Sequence, residues 1–413
     1  MSTDAKDPCT ASGTNAKPVQ RKLIGMRWPC RYRRSSLLNV DKKTKVSVYS
    51  RDGTKHTLFA IKDDSQVITQ FVVPIWDVPK KDKTRPNGRL QAMLSTATGK
   101  GRCHLLCLPA EMISMIFGEF EDVKDAVCLC LVDEWLSSVG MKSVRKLVAR
   151  LAAPWSGDRV IHLGFHAADD DYPESVQEHV TAEVAAFKAK YGAAQLREGG
   201  ASDSDESSSS DSDFEEPKKR KNPPRTIFPH VYMRYKSNYS IPRGVPDVEP
   251  YRVTRGCWTG YASIYEVLSP KDASRMKVML RTSYTTSQGW ALCNLSKKEY
   301  VRADEIAKMT KSTCRGPWIK HTVNLGMVLL LRTTWSSAEL VEIKDPKGDM
   351  HRGVWAGDRF EITTLDRLKG GQKGWKDVSM AVVAEVDALC ELNYGTKDWV
   401  TEIQEDKKKS YNE

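Results

Sequence analysis

The residues that could carry acid–base chemistry gather late in the chain. Arg352, Asp358, Arg359 and Glu361 are close in sequence, and His321 and His351 could donate or accept protons. A reactive site of this kind also needs a nucleophile on a strand-to-helix turn, a glycine-rich phosphate loop or a metal triad, and none of these motifs accompanies the set. Asp358 beside Arg359 reads more simply as a turn whose charges pair locally while Trp355 and Phe360 pack inward. Cys103, His104 and Cys107 have the spacing of part of a metal centre, but zinc takes about four ligands and no second cluster supplies the rest. The ten cysteines are scattered without C-x-x-C spacing, as expected of reduced, buried thiols. The sequence therefore predicts no catalytic residue, no metal and no cofactor.

Other residues could bind instead of react. The formal charge is +11, and residues 1 to 60 hold thirteen Lys or Arg against four Asp, 13 − 4 = +9, so the basicity is largely N-terminal. Arg27, Arg31, Arg33 and Arg34, interleaved with Trp28 and Tyr32, could pair phosphates and stack bases, which makes nucleic acid a possible partner; the plainer reading is a solvated arm. Lys218, Lys219, Arg220 and Lys221 form a run of four cations suited to the acidic grooves of a nuclear import receptor, or to balancing the acids before them. Ser202, Ser208, Ser210 and Ser212 each have Asp or Glu three residues later, the pattern of acid-directed kinases, and each phosphate would add about −1.5 to −2 of charge.

These features sit on a chain of 413 residues, long enough for two or more cores. It contains no run of about 18 uncharged apolar residues. Residues 1 to 20 lack the apolar stretch of a secretory signal, so a soluble, intracellular protein without a membrane partner is expected, in nucleus and cytoplasm. Residues 1–25 read as a disordered tail, 26–79 as a small basic strand-rich segment and 80–102 as a linker. Within the second, Val46, Val48 and Tyr49 lead through Asp52-Gly53 to Thr57, Phe59 and Ile61, a hairpin pattern, and the apolar run Val67 to Trp76 follows.

Residues 103–195 read as helical. Met112, Ile116, Phe117 and Phe120 recur at helical intervals, Pro109 suits a first turn, and Val127, Leu129, Leu131, Val132, Trp135 and Leu136 form a second set. Residues 175 to 192 predict a further helix. Residues 196–225 are Ser-, Asp- and Glu-rich and then basic, too polar to offset the entropy of ordering. Residues 226–400 form a Trp-rich mixed α/β domain, with strands expected over Tyr261 to Leu268 and Leu325 to Trp335 and helices over Lys297 to Met309 and Asp377 to Leu392; 401–413 reads as a tail. No internal repeat of about 20 to 50 residues is evident, which argues against a solenoid or propeller. The fold class is α+β.

Within the helical region, residues 105–146 resemble the F-box family. Leu108-Pro109-x-Glu111-Met112 opens the motif, Ile116-Phe117 and Phe120 continue it, and Asp125, Leu129, Val132 and Trp135 complete it. The resemblance covers about 40 residues, and Val123, Cys128 and Cys130 depart from the commoner residues while staying apolar. It implies a non-catalytic substrate receptor that binds a Skp-type adaptor, and through it a cullin, of a ubiquitin ligase. A short three-helix unit also exposes more apolar surface than it can bury, so an outer face gains by packing on a partner. Leu108, Pro109, Ile116 and Phe117 are the expected contacts, with Glu111, Met112, Phe120 and Trp135 completing the set. A longer series runs from Trp290 to Val301, through Leu325-Gly326, Leu331-Arg332 and Trp335-Ser336, to Arg352-Gly353-Val354-Trp355 and Gly357-Asp358-Arg359-Phe360. It resembles the C-terminal region of F-box-like proteins of mushroom-forming fungi, which implies a fungal source and makes this domain the candidate holder of an unidentified protein substrate. The competing function is a nuclear nucleic-acid or chromatin-associated protein acting through the basic N-terminal segment.

Overall fold

The computed structural model describes residues 34–49, 64–76, 104–163, 167–191, 227–237, 268–280, 289–319, 322–337, 350–371 and 374–412, with Thr282 and Tyr284. The first element is a hairpin of β1 (Arg34–Asn39) and β2 (Thr44–Tyr49), turned through Val40 to Lys43. The turn anticipated at Asp52-Gly53 lies outside the described residues. The run from Val67, expected to extend the strands, instead begins inside α1 (Asp64–Thr69) and reaches β10 (Phe360–Thr364) through an isolated bridge between Val72 and Ile362.

The helical block follows: α2 (Ala110–Gly118), α3 (Val123–Val132) and α4 (Glu134–Ala152). After it come β3 (Val160–Leu163) and α5 (Glu174–Tyr191), the latter within a residue of the span read from periodicity. Next are α6 (Phe228–Tyr232), β4 (Lys236–Ser237) and α7 (Pro270–Leu280). Of the strand expected over Tyr261 to Leu268, only Leu268 is described, and it packs on the helical block.

The chain continues through β5 (Trp290–Asn294), β6 (Glu299–Arg302), α8 (Ala303–Met309), β7 (Cys314–Arg315), β8 (Trp318–Ile319), α9 (Leu325–Thr333) and β9 (Thr334–Trp335). It ends with β10 (Phe360–Thr364), α10 (Leu365–Gly371), β11 (Lys376–Asp377), α11 (Ser379–Tyr394) and α12 (Trp399–Asn412). The protein is thus α+β, with sheets ordered β4-β2-β1-β3-β9 and β10-β5-β6-β11 and a small β7-β8 ribbon.

Three expectations are corrected. Leu325 to Trp335 is chiefly helix: the Asn324 side chain accepts from the N–H groups of Gly326 (2.9 Å) and Met327 (3.2 Å), a helix-starting cap. Eight of the nine residues of α9 are buried, so it is apolar all round and lacks the one-sided period that separates a helix from a buried strand. Lys297 to Met309 is helical only from Ala303, because Glu299 to Arg302 pairs with β5. The stretch read as a C-terminal tail from residue 401 lies in α12, where Trp399 and Ile403 are buried against α11 and its neighbours.

The five-stranded sheet draws β1 and β2 from the N-terminal segment, β3 from after the helical block, and β4 and β9 from the C-terminal region. One apolar core accordingly runs from Leu37 through Trp155 and Leu292 to Ile403. Across it, two segments far apart in sequence make the same contacts. Asn39 ends β1 and Asn294 ends β5; both are buried and need partners. Asn39 Nδ2 donates to Asp158 Oδ2 (2.7 Å) and Asn294 Nδ2 to Asp358 Oδ2 (2.8 Å). Asn39 Oδ1 accepts the Lys42 N–H (2.9 Å) and Asn294 Oδ1 the Lys297 N–H (3.0 Å). Both turns end on a lysine of positive φ, Lys43 (53°) and Lys298 (54°). Trp155-Ser-Gly-Asp-Arg159 and Trp355-Ala-Gly-Asp-Arg359 then form equivalent loops, each closed by an N–H from Asp158 to Trp155 O or from Asp358 to Trp355 O, at 3.1 Å in both. Gly157 and Gly357 take φ of 84° and 79°, a left-handed backbone that glycine adopts without steric cost. The two loops meet reciprocally: Gly157 N–H donates to Phe360 O (2.8 Å) and Gly357 N–H to Val160 O (2.9 Å).

Candidate docking face on the helical block

The helical block is built by local rules that the sequence carries. Pro109 precedes α2 and its carbonyl accepts the Ile113 N–H (3.1 Å). Asp122 caps α3 through the Lys124 N–H (2.8 Å), and Asp133 caps α4 through the N–H groups of Trp135 (2.7 Å) and Leu136 (3.4 Å). Each carboxylate satisfies helix-terminal donors and favours the positive end of the helix. The core of the block contains Ile113, Phe117, Val127, Cys130, Leu136, Val144 and Val148, and burial pushes the Cys130 thiol up to about 11.

Phe117, expected at the adaptor surface, is instead only 1 % exposed. Its ring lies over Gly140, where an added Cβ would stand 2.2 Å from Phe117 Cζ, and meets Phe120 edge-on at 5.9 Å. Periodicity placed Phe117 on the apolar face correctly, but a glycine one helix away creates the slot that swallows it. The block is also not a free three-helix unit. Helix α7 closes α3 and α4, burying Met276, Met279 and Leu280. Arg275 donates to the carbonyls of Cys130 (3.4 Å) and Leu131 (3.5 Å), covering the C-terminal end of α3.

What remains open is the outer side of α2. Met112 is 49 % exposed and Met115 71 % exposed. Together with half-buried Ile116 they span an arc of about 100° at 3.6 residues per turn. Leu108 is half-buried just before the helix, while Pro109 and Glu111 are exposed. Phe120 and Trp135 are half-buried and pack partly into the block. Leu108 packs partly into the block as well, so the open side holds Met112 and Ile116 and adds Met115, which sequence reasoning missed; its i, i+3 spacing from Met112 was the available signal. Val132, at the end of α3, is 74 % exposed. Unbranched thioether side chains adapt to irregular apolar partners, so this face suits packing against a helix of another protein.

The residues first considered for acid–base chemistry do not converge. Arg352 makes a two-pronged pair with Asp171 (2.5 and 2.6 Å) and stacks over Trp335 at 4.7 Å. Asp358 is held by Asn294 and Lys297, not by Arg359. Glu361 accepts from Ser156 Oγ (3.2 Å). Trp355 and Phe360 are fully buried. Arg159 and Arg359 share Asp41, the latter at 3.0 Å; partial burial opposes ionisation of that carboxyl, but the two guanidinium groups and the Arg159 N–H hold it below the usual carboxylate range. His351 is described but His321 is not.

Among the described residues no group of three or more His, Cys, Asp or Glu is placed to hold a metal ion. Cys103, Ser202, Ser208, Ser210, Ser212, the Lys218 to Lys221 run and the basic residues Arg27, Arg31 and Arg33 lie outside the described residues. No described helix is long and apolar enough to cross a membrane. A scan against protein-family models and searches of curated proteins and of solved structures match nothing in this chain.

Proposed function

We propose that the helical block is an F-box-type docking module and that the protein is a non-catalytic substrate receptor, binding a Skp-type adaptor and through it a cullin. The carrying observation is the stripe of exposed Met112 and Met115 beside half-buried Ile116, on a helix whose other side, Ile113 and Phe117, is locked into the block. A docking helix needs this division: one side fixes its position, the other offers apolar area that gains about 25 cal/mol per Å² when covered. The Asp122 and Asp133 caps and the α7 clamp support the reading by fixing α3 and α4, the latter being the helix on which α2 packs. The remainder, whose β3–β9 pairing joins the regions before and after residues 196–225, serves in this reading as the platform that holds a protein substrate. Import through Lys218, Lys219, Arg220 and Lys221 would give access to nucleus and cytoplasm.

Co-purification of the full chain with a Skp-type adaptor tests the proposal. Wild type retains the adaptor, whereas Met112→Asp with Met115→Asp loses it while keeping the wild-type circular dichroism spectrum. Failure of the wild type to retain the adaptor, or retention by the double variant, contradicts it.

A further inference from the structure

We infer that the platform consists of two copies of one β-hairpin–helix–strand unit, joined across a homotypic interface, and that the helical block is an insertion into the first copy. Three sets of observations carry this, and none depends on the docking proposal.

First, equivalent residues keep constant offsets within each element. Asn39, Lys42 and Lys43 correspond to Asn294, Lys297 and Lys298, each 255 positions apart, and Trp155, Gly157, Asp158 and Arg159 correspond to Trp355, Gly357, Asp358 and Arg359, each 200 apart. The registers agree: Asn39 lies opposite Thr44 and Val160, and Asn294 lies opposite Glu299 and Phe360. Lys42 reaches Asp158 and the Pro154 carbonyl; Lys297 reaches Asp358 and the Val354 carbonyl. The N–H groups of Trp155 and Trp355 donate to Gln70 O (2.9 Å) and Arg332 O (2.8 Å), at the ends of α1 and α9 respectively.

Second, the copies exchange strands. The segment after α1 pairs through Val72 with Ile362 of β10, while β9, after α9, pairs through Thr334 with His162 of β3. Both pairings are parallel, and both reach from one copy into the other. Together with the reciprocal Gly157 and Gly357 bonds and the antiparallel Arg159–Arg359 bridge, they form a seam that presents like surfaces to like. The partner that each copy's edge fits is therefore another copy of the same unit, supplied here within one chain.

Third, one difference in length between the copies far exceeds the other, for Lys43 to Val72 spans 72 − 43 = 29 positions against 334 − 298 = 36 from Lys298 to Thr334. Val72 and Trp155 are separated by 155 − 72 = 83 positions, but Thr334 and Trp355 by 355 − 334 = 21. Helices α2 to α4 occupy the longer interval.

One substituted position supplies the test. The Arg159 N–H donates to Asp41 Oδ2 (2.9 Å), and at the equivalent place the Arg359 N–H donates to Ser296 Oγ (3.0 Å). Asp41→Ala removes the carboxylate that holds both guanidinium groups and is expected to lower the folding equilibrium constant about tenfold. If the copies are equivalent, Ser296→Asp added to Asp41→Ala restores at least about threefold of that loss, because the new carboxylate meets Arg359 as Asp41 meets Arg159. No recovery overturns the equivalence. The insertion is tested in the full chain by amide hydrogen exchange on Gly140→Val, with Gly140→Ala as the milder variant. Protection falls across residues 105–152 and 270–280 and persists in β1, β3, β5 and β10; loss of protection in those strands as well overturns the insertion.

Discussion

Replacing Gly140 by alanine should destabilise the helical block, although the same change in a solvent-facing helix stabilises. The new Cβ would lie 2.2, 2.4 and 2.6 Å from three atoms of the Phe117 ring. Carbon atoms prefer about 3.5 to 4.0 Å, so ring and helix must separate by more than 1 Å. The ring is 1 % exposed and abuts Phe120, so it has no open space into which to swing. Overpacking of this kind costs about 1 to 3 kcal/mol. The gain from replacing a helical glycine is about 1 kcal/mol, leaving a net loss of up to about 2 kcal/mol. Urea unfolding followed by circular dichroism measures it, with Phe117→Leu as the second arm of a double-mutant cycle. The smaller side chain vacates the slot, so the double variant should be at least about 1 kcal/mol more stable than the sum of the single changes predicts. A Gly140→Ala protein stabilised by about 1 kcal/mol, or strict additivity with Phe117→Leu, would refute the reasoning.

Three further outcomes follow from other contacts. His162 is buried with its ring nitrogens at 3.0 Å from Thr334 Oγ1 and 2.8 Å from Ser35 Oγ, and burial pushes its pKa down to about 4. The unfolded imidazole titrates near about 6.5, so this contribution is complete above that pH and is lost as pH falls from 6.5 towards 4, by about 3 kcal/mol in total. Urea midpoints of wild type and His162→Gln should converge over that window; parallel curves would contradict it. Asp133→Ala removes the α4 cap and should cost about 1 kcal/mol, read as a lower urea midpoint without change of slope. Peroxide that converts exposed Met112 and Met115 to sulfoxides places polar oxygens on the proposed docking stripe and should weaken adaptor capture. Met112→Leu with Met115→Leu should resist the treatment, and equal loss in both proteins would reject that cause.

Much of the local structure was legible because its signals are local. The span of α5 follows from Val176, Val180 and Val184, and α11 lies within two residues of the helix expected over Asp377 to Leu392, although its end at Gly395, φ 70°, went unread. The helical block was readable from spacing, whereas its capping aspartates, Asp122 and Asp133, went unread. What the spacing did not reveal depends on distant partners. Phe117 is internal because Gly140 opens a slot for it, and α9 hides its helical period because surrounding elements bury every side. The pairing of the two halves left a short trace, Trp-x-Gly-Asp-Arg at 155–159 and again at 355–359, but the insertion in the first copy placed the repeats outside any regular period. The open side of α2 was half legible: Met112 and Ile116 belonged to the spacing read from the sequence, whereas Met115 did not.

Whether α2 presents a docking face is decided by titration calorimetry of a purified Skp-type adaptor into the full chain. Covering Met112 and Met115 should contribute about 1.5 to 3 kcal/mol each. Wild type and the platform variant Asp41→Ala should bind one-to-one, and Met112→Asp with Met115→Asp should weaken binding more than about a hundredfold. No heat of binding with wild type, or equal affinity for the double variant, would contradict it.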